Sequence, residues 1–181
     1  MFITSHIRVA SRVMKYVDPE IKWRYRVILS IGSISPDIVM IFPQHQVFLT
    51  YDKVQKILNK VEYRDRRSLI DAWRLGVCLH YMCDYFCRAH NDSTILHGLK
   101  HSAYEWQIAK KVKYFGQLCN LDYTFDGAKF RELFKNEHNM YIKTLIRGNN
   151  DIGNDVSKAM LMGVNLISSH MKSLGRSSVI I

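Results

Sequence analysis

Apolar residues recur at spacings of three and four along most of the chain, the period at which side chains share one face of an α-helix. Only 3 Pro and 9 Gly interrupt the pattern, and no stretch alternates apolar and polar residues as a strand does. The pattern therefore predicts an all-α fold. The predicted helices cover residues 4–16 (or 5–16), 19–30, 51–63, 68–90, 95–115, 126–147 and 151–174.

Turn-forming residues mark the ends of these helices. Gly32, Ser33 and Ser35 precede Pro36, and a proline disfavours helical geometry at the residue before it, so Asp37 is expected at a turn. Asp151 is a predicted N-cap, as is Asp126. The helix over residues 68–90 is the most apolar and is expected to be central.

Chain length and cysteine spacing limit the number of domains and the roles of the cysteines. A chain of 181 residues fits one domain that needs no disulfides, so residues 1–181 are predicted to form a single all-helical domain. Cys78, Cys83 and Cys87 lie on one predicted helix at spacings of five and four, which suits neither a CxxC zinc site nor a disulfide framework. These three and Cys119 are predicted to be reduced core thiols.

Charge and hydropathy give a location and a class of partner. Residues 1–20 mix His6, Arg8 and Arg12 with apolar positions, unlike a signal peptide, and no apolar run is long enough to span a membrane. The prediction is a cytoplasmic protein. The net charge of +10 favours anionic partners such as phosphodiesters, nucleic acids or acidic membranes, although a basic surface is often only a solvated one.

Two pairs of side chains have the spacing of metal ligands. His80 and Asp84 are four residues apart on an otherwise apolar helix, so they share one face, and a buried carboxylate there needs a partner such as a cation. His101 and Glu105 repeat the spacing, whereas His90 ends the predicted helix and is expected to point elsewhere. Chance placement gives about 0.7 such pairs. Each pair taken alone is explained equally well by a hydrogen-bonded helix contact.

The order of the candidate residues carries more information than either pair. His80-x3-Asp84-x5-His90 is followed by His101-x3-Glu105, and Gly32-x3-Pro36-Asp37, His6 and His45 come before them. This series resembles the zinc-dependent phospholipase C family, whose relatives include single-strand-specific zinc nucleases. The resemblance covers residues 1–110 and implies a multi-helix bundle of the phospholipase C and zinc nuclease type.

The resemblance also implies a ligand set for two or three zinc ions. In the family, the third ion is completed by the amine and carbonyl of the first residue, a tryptophan, where this chain has Met1. The implied ligands are Asp37, His45, His80 and Asp84 for one ion, and His90, His101 and Glu105 for a second. For the third ion they are His6, Met1 and Asp84, with Asp84 bridging two ions.

The residue types indicate hydrolytic chemistry. Imidazole and carboxylate suit zinc, and three protein ligands plus water mark a catalytic site rather than a closed structural one. Zinc brings the pKa of bound water to about 7, so the expected reaction is attack of metal-bound hydroxide on phosphorus. Asp84 is predicted to bridge metals and Asp37 to orient the nucleophile, which makes these two the predicted catalytic residues.

The substrate is less constrained than the reaction. A phospholipid headgroup is the nominal phosphodiester, but Ile38 stands where choline-recognising members place an aromatic residue, which argues against choline. A nuclease acting on single-stranded nucleic acid is the alternative enzyme. A third hypothesis is a catalytically inactive, basic binding protein stabilised by metal. The sequence leaves the oligomeric state open.

Overall fold

The structure is a computed structural model that describes residues 3–17, 22–39, 47–62, 68–92, 98–114, 127–148 and 151–171. Every regular element in these ranges is helical, which confirms the all-α prediction. The helices are α1 (Ile3–Val17), α2 (Trp23–Gly32), α3 (Ser35–Val39), α4 (Val47–Glu62), α5 (Leu69–Tyr85), α6 (Arg88–Asn91), α7 (Gly98–Tyr114), α8 (Gly127–Ile146) and α9 (Ile152–Met171).

Helix α5 lies at the centre of the fold, as its apolar sequence predicts. It begins at a reciprocal cap in which Ser68 Oγ accepts the Asp71 amide at 3.2 Å and donates to the Asp71 carboxylate at 2.8 Å. From Leu75 to Tyr85 every residue is buried. Helices α2, α4 and α9 pack around α5, and α1 packs against α9. The two predicted ligands His80 and Asp84 are therefore carried into the core.

The crossing of α2 and α5 depends on two glycines. A Cβ atom added at Gly76 would overlap the carbonyl oxygen of Leu29, and one added at Gly32 would overlap that of Trp73. The backbones of the two helices thus touch, because only hydrogen stands in place of a side chain at the contact. This close approach brings the C-terminal end of α2 beside His80.

One predicted helix is interrupted, and this corrects the expectation for residues 68–90. Phe86 and Cys87 leave helical geometry, and His90 lies on the separate short helix α6. The carbonyls freed by the break are satisfied locally, since the Asn91 side-chain amide donates to the oxygens of Cys87 at 2.9 Å and Tyr85 at 3.1 Å. The break redirects the chain, and with it His90.

The expectation that Pro36 would keep Ser35 out of a helix is also wrong. Helix α3 begins at Ser35 and includes Pro36 in its first turn, where the missing N–H costs no helical hydrogen bond. Ser35 Oγ donates to the Ile31 carbonyl at 2.8 Å and accepts the Trp73 indole at 2.9 Å. These bonds fix the start of α3, so Asp37 lies in a helical turn.

Other sequence expectations are confirmed where the structure describes them. Asp151 caps α9, since its side chain accepts the Asn154 amide at 2.8 Å. Cys78, Cys83 and Cys87 are buried free thiols, and burial raises the pKa of each. Cys119 and the predicted cap Asp126 lie outside the described residues. None of the described helices combines the length and apolarity needed to cross a membrane.

Candidate metal centre

The first ligand group is His6, His80 and Asp84, which α1 and α5 bring together. All three side chains are fully buried, and one ligand atom from each lies within 4.8 Å of the others. Asp84 Oδ2 is 3.1 Å from His80 Nε2, and Asp84 Oδ1 is 3.5 Å from His6 Nε2. The His6 and His80 rings stack with centroids 4.0 Å apart. The four-residue pair on α5 is thus joined by a histidine that is remote in sequence.

A backbone contact sets the tautomer of His80. Its Nδ1 lies 3.0 Å from the carbonyl oxygen of Ser33, at the end of α2, and a carbonyl only accepts, so Nδ1 carries the proton. In a neutral ring, Nε2 would then direct its lone pair at Asp84. A lone pair facing a carboxylate oxygen is repulsive unless a cation or a proton lies between them.

His6 is a buried imidazole whose ring nitrogens make no hydrogen bond to the described part of the chain. Neither of its ring nitrogens has a hydrogen-bond partner in the described structure. Burial, followed by the neighbouring His80, lowers the pKa of His6 well below 6.5. The ring is therefore neutral, and a neutral imidazole with a free lone pair is the form that binds a metal.

The second ligand group is His90, His101 and Glu105, from α6 and α7. Glu105 Oε1 lies 3.0 Å from His101 Nε2 and 3.4 Å from His90 Nε2. Burial alone would raise the pKa of Glu105, but hydrogen bonding to His90 and the nearby His101 contribute to a net lowering to about 2. Glu105 is ionised at neutral pH, and the Nδ1 of His101 has no hydrogen-bond partner among the described atoms.

Asp84 connects the two groups. Its Oδ1 lies 3.3 Å from His90 Nε2 as well as 3.5 Å from His6 Nε2. Burial by itself raises the pKa of Asp84, yet the surrounding imidazoles help to lower it well below its usual value. One ionised, buried carboxylate therefore faces three histidines from three helices. The expectation that His90 points away from Asp84 is wrong, because the break before α6 turns the ring back.

The remaining predicted ligands are placed less centrally or lie outside the described residues. Asp37 Oδ1 is 3.6 Å from His80 Nε2, and its side chain is partly exposed, so it marks the accessible edge of the first group. His45 and Met1 lie outside the described residues.

The donor geometry suits zinc. Ligand atoms on a tetrahedral zinc with bonds of 2.0–2.1 Å lie about 3.3 Å from one another. The distances between imidazole nitrogens and carboxylate oxygens in the cluster run from 3.0 to 3.6 Å. Together with the nitrogens of His6 and His101 that make no hydrogen bond to described atoms, these spacings fit a cation held by imidazole and carboxylate.

Asp155 supports the centre and was missed by the sequence analysis. It is fully buried on α9, where its carboxylate accepts the backbone amide of Arg88 at 2.7 Å and the hydroxyls of Tyr104 and Tyr141 at 2.8 Å each. Arg88 begins α6, which carries His90, and Tyr104 precedes Glu105. The only signal in the sequence was a single acid on an apolar helix, which is uninformative by itself.

Two arginines hold α1 against α7 and thereby bring the two groups together. Arg8 donates to the carbonyl oxygen of Ala109 at 2.9 Å, and Arg12 donates to that of Lys113 at 2.7 Å. His6 lies on the same helix as these arginines, and Glu105 lies one turn before Ala109. Contacts outside both groups thus help to set the distance between them.

Comparison with known proteins identifies a family. The family model described as zinc dependent phospholipase C matches residues 5–148, which include every described candidate ligand and exclude α9. No curated protein matches the chain significantly, and no solved structure does.

Proposed function

Because the chain belongs to the zinc-dependent phospholipase C family, we propose that it is a zinc-dependent hydrolase that cleaves a phosphodiester, with a phospholipid as the nominal substrate. The observation that carries the proposal is the position of Asp84, an ionised buried carboxylate between two His/carboxylate groups. Asp84 would bridge metal ions, because its carboxylate lies within 3.5 Å of His6 and His80 in the first group and of His90 in the second.

The proposed ligands follow the two groups. His6, Asp37, His80 and Asp84 would hold zinc on one side, and His90, His101 and Glu105 on the other. The number of ions, two or three, depends on whether His45 and Met1 also bind, as the family resemblance implies.

The chemistry divides between the metal and the protein. Zinc, when bound, supplies a Lewis acid that polarises a phosphoryl oxygen and acidifies water. Asp84 is fully buried with a strongly lowered pKa, so it stays ionised and acts as a fixed anion rather than a proton donor. Asp37 is the partly exposed carboxylate beside His80, so it is the group proposed to accept a hydrogen bond from the attacking water and orient it toward phosphorus.

The helix beyond the matched residues supports a single domain. Helix α9 packs on α1 and α5 and supplies Asp155 to α6 and α7. We therefore propose that residues 1–181 fold as one domain in which α9 completes the support of the metal centre.

The test is elemental analysis of the purified protein together with hydrolysis of the chromogenic diester bis(p-nitrophenyl) phosphate. The wild type should contain at least two zinc ions and turn over, and Asp84→Asn should lose metal and activity. Asp52→Asn is the matched control, because it makes the same chemical change at an exposed position on α4. Absence of zinc, or equal turnover by Asp84→Asn and the wild type, would refute the proposal.

The net charge of +10 favours a second substrate class, single-stranded nucleic acid. Comparing release of diacylglycerol from phospholipid with cleavage of an oligonucleotide separates the two activities. Zinc-dependent melting without turnover on either substrate would instead favour the catalytically inactive, metal-stabilised binding protein.

A further inference from the structure

Helix α2 has an apolar stripe that faces away from the core. Trp23, Val27 and Ile31 follow one another at four-residue spacing, and all three are exposed, Trp23 to 76%. The opposite face of α2 carries Leu29 and Gly32, which are buried against α5. The outward stripe is thus not part of the core, and clustered exposed apolar side chains indicate a contact surface.

Further exposed apolar side chains follow α2 in the chain, beside the metal centre. Helix α3 begins three residues after the end of α2, and its last two residues, Ile38 and Val39, are exposed to 61% and 66%. Ile38 directly follows Asp37, the accessible residue of the first ligand group. We call Trp23, Val27, Ile31, Ile38 and Val39 the α2–α3 apolar surface.

Basic residues border the stripe on both sides. At about 100° per residue, Arg24 falls about 20° beyond one edge of the stripe and Arg26 about 60° beyond the other, and Lys22 directly precedes the helix. Helix α2 contains neither an acidic nor an amide side chain. An apolar stripe with cationic edges is the pattern of a helix that lies in the interface of a membrane, with apolar side chains among the acyl chains and cations at the headgroups.

Charge favours an anionic bilayer over a second copy of the chain as the partner of this surface. A second copy of the chain would bring Lys22, Arg24 and Arg26 of both copies together, and the whole chain carries a net charge of +10, so self-association through this face is opposed. An anionic bilayer complements both the cations and the apolar stripe.

We propose that the α2–α3 apolar surface docks the protein on a lipid bilayer rich in anionic headgroups, with Asp37 at the border of the docked face. Docking would bring a headgroup of the bilayer to the metal centre beside Ile38. This role for docking rests on the proposed phosphodiester hydrolysis. Docking itself requires no turnover, so the two can be tested separately.

The test is cosedimentation with vesicles of phosphatidylcholine, with and without phosphatidylglycerol, at low and high salt. The wild type should bind the phosphatidylglycerol vesicles more tightly, and added salt should weaken that binding. The double variant Trp23→Ser/Val27→Ser should bind at least about tenfold more weakly, because two apolar anchors are lost. The matched control is Ile146→Ser, at an apolar residue 80% exposed on α8, which should bind as the wild type does.

Two further measurements separate this proposal from others. Hydrolysis of soluble bis(p-nitrophenyl) phosphate should be unchanged in the double variant, since Trp23 and Val27 do not touch the ligand groups. Vesicle binding that depends on α2 in a protein without turnover would leave docking standing and refute the hydrolase. Failure of the wild type to bind anionic vesicles, equal binding by the double variant, or a change in oligomeric state in that variant would overturn the docking proposal.

Discussion

Asp155 accepts a hydrogen bond from the backbone amide of Arg88 at 2.7 Å, although 67 positions separate the two residues in the chain. The contact joins α9 to the first residue of α6, two positions before His90. The same carboxylate accepts the hydroxyl of Tyr104, the neighbour of Glu105, at 2.8 Å. A residue outside both ligand groups therefore holds the helix that carries one member of the second group and the neighbour of another member.

Asp155→Asn should destabilise the protein and lower its affinity for zinc. The asparagine side chain would place an N–H donor where the carboxylate of Asp155 accepts three hydrogen bonds. A buried polar group would then lack a partner, which costs on the order of 2–3 kcal/mol. Zinc affinity should fall about tenfold or more, as for the loss of groups that orient ligands. Thermal unfolding and competition with a zinc chelator measure the two effects.

Two controls separate positioning of the ligands from general stability. Asp151→Asn makes the same change at an exposed N-cap, where asparagine caps equally well, and should alter neither quantity. Tyr141→Phe and Tyr104→Phe each remove one hydroxyl from Asp155, but only Tyr104 adjoins a ligand. If both tyrosine variants weaken zinc binding equally, Asp155 has no specific effect on the ligands.

Removal of a single ligand should remove a single ion. His101→Gln takes one donor from the second group and leaves the Asp84–His80 contact intact, so the purified variant should hold one zinc fewer than the wild type. Asp84→Asn should lose more than one ion, because Asp84 faces histidines of both groups. Equal losses in the two variants, measured by elemental analysis, would contradict the bridging role.

Gly76→Ala should destabilise the contact between α2 and α5. The added methyl group would meet the backbone of Leu29 and Gly32, which cannot turn aside as a side chain can. We expect a loss of about 2–3 kcal/mol in the free energy of unfolding, at the upper end for overpacking. The measurement is urea denaturation of the two proteins.

Gly163→Ala on α9 is the comparison for that substitution. There the new methyl group would meet the ends of the Leu79 and Val13 side chains, at 2.8 Å and 3.0 Å, which can shift. The gain in helix propensity of about 1 kcal/mol offsets part of the crowding. If Gly163→Ala costs as much as Gly76→Ala, the backbone contact does not limit packing at Gly76.

The metal-free protein should lose stability as the pH falls below about 6.5, partly through His138. Burial lowers the pKa of His138, against the opposing hydrogen bond to the Tyr85 backbone. Below 6.5 the unfolded chain binds a proton that the folded chain resists, so the contribution of His138 is complete above that pH and declines below it. Unfolding free energies in chelator from about pH 8 to about pH 5 record the decline.

His138→Gln should flatten that dependence. The variant loses the stacking of His138 on Phe134 at every pH, which lowers stability by a constant amount. Its curve should therefore run parallel to that of the wild type above about pH 7.5 and converge on it at lower pH. Curves that stay parallel over the whole range would show that His138 titrates alike in the folded and unfolded states.

The helical period and the two four-residue pairs could be determined from the sequence alone. His80 with Asp84, and His101 with Glu105, are each one turn apart, and the geometry of a turn is local, so each pair shares a face whatever else the chain does. The order of the candidate residues along the chain was enough to identify the family, which the match over residues 5–148 confirms.

Only the tertiary structure decided how these pairs combine. The stacking of His6 on His80 needs α1 to pack against the core, and the return of His90 to Asp84 needs a helix break stabilised by Asn91 and Asp155. The bonds of Asp155 to three other helices depend on the placement of α9 in the same way. Contacts of this kind are set by packing and by the satisfaction of buried polar groups across the fold, and no local pattern of residues records them.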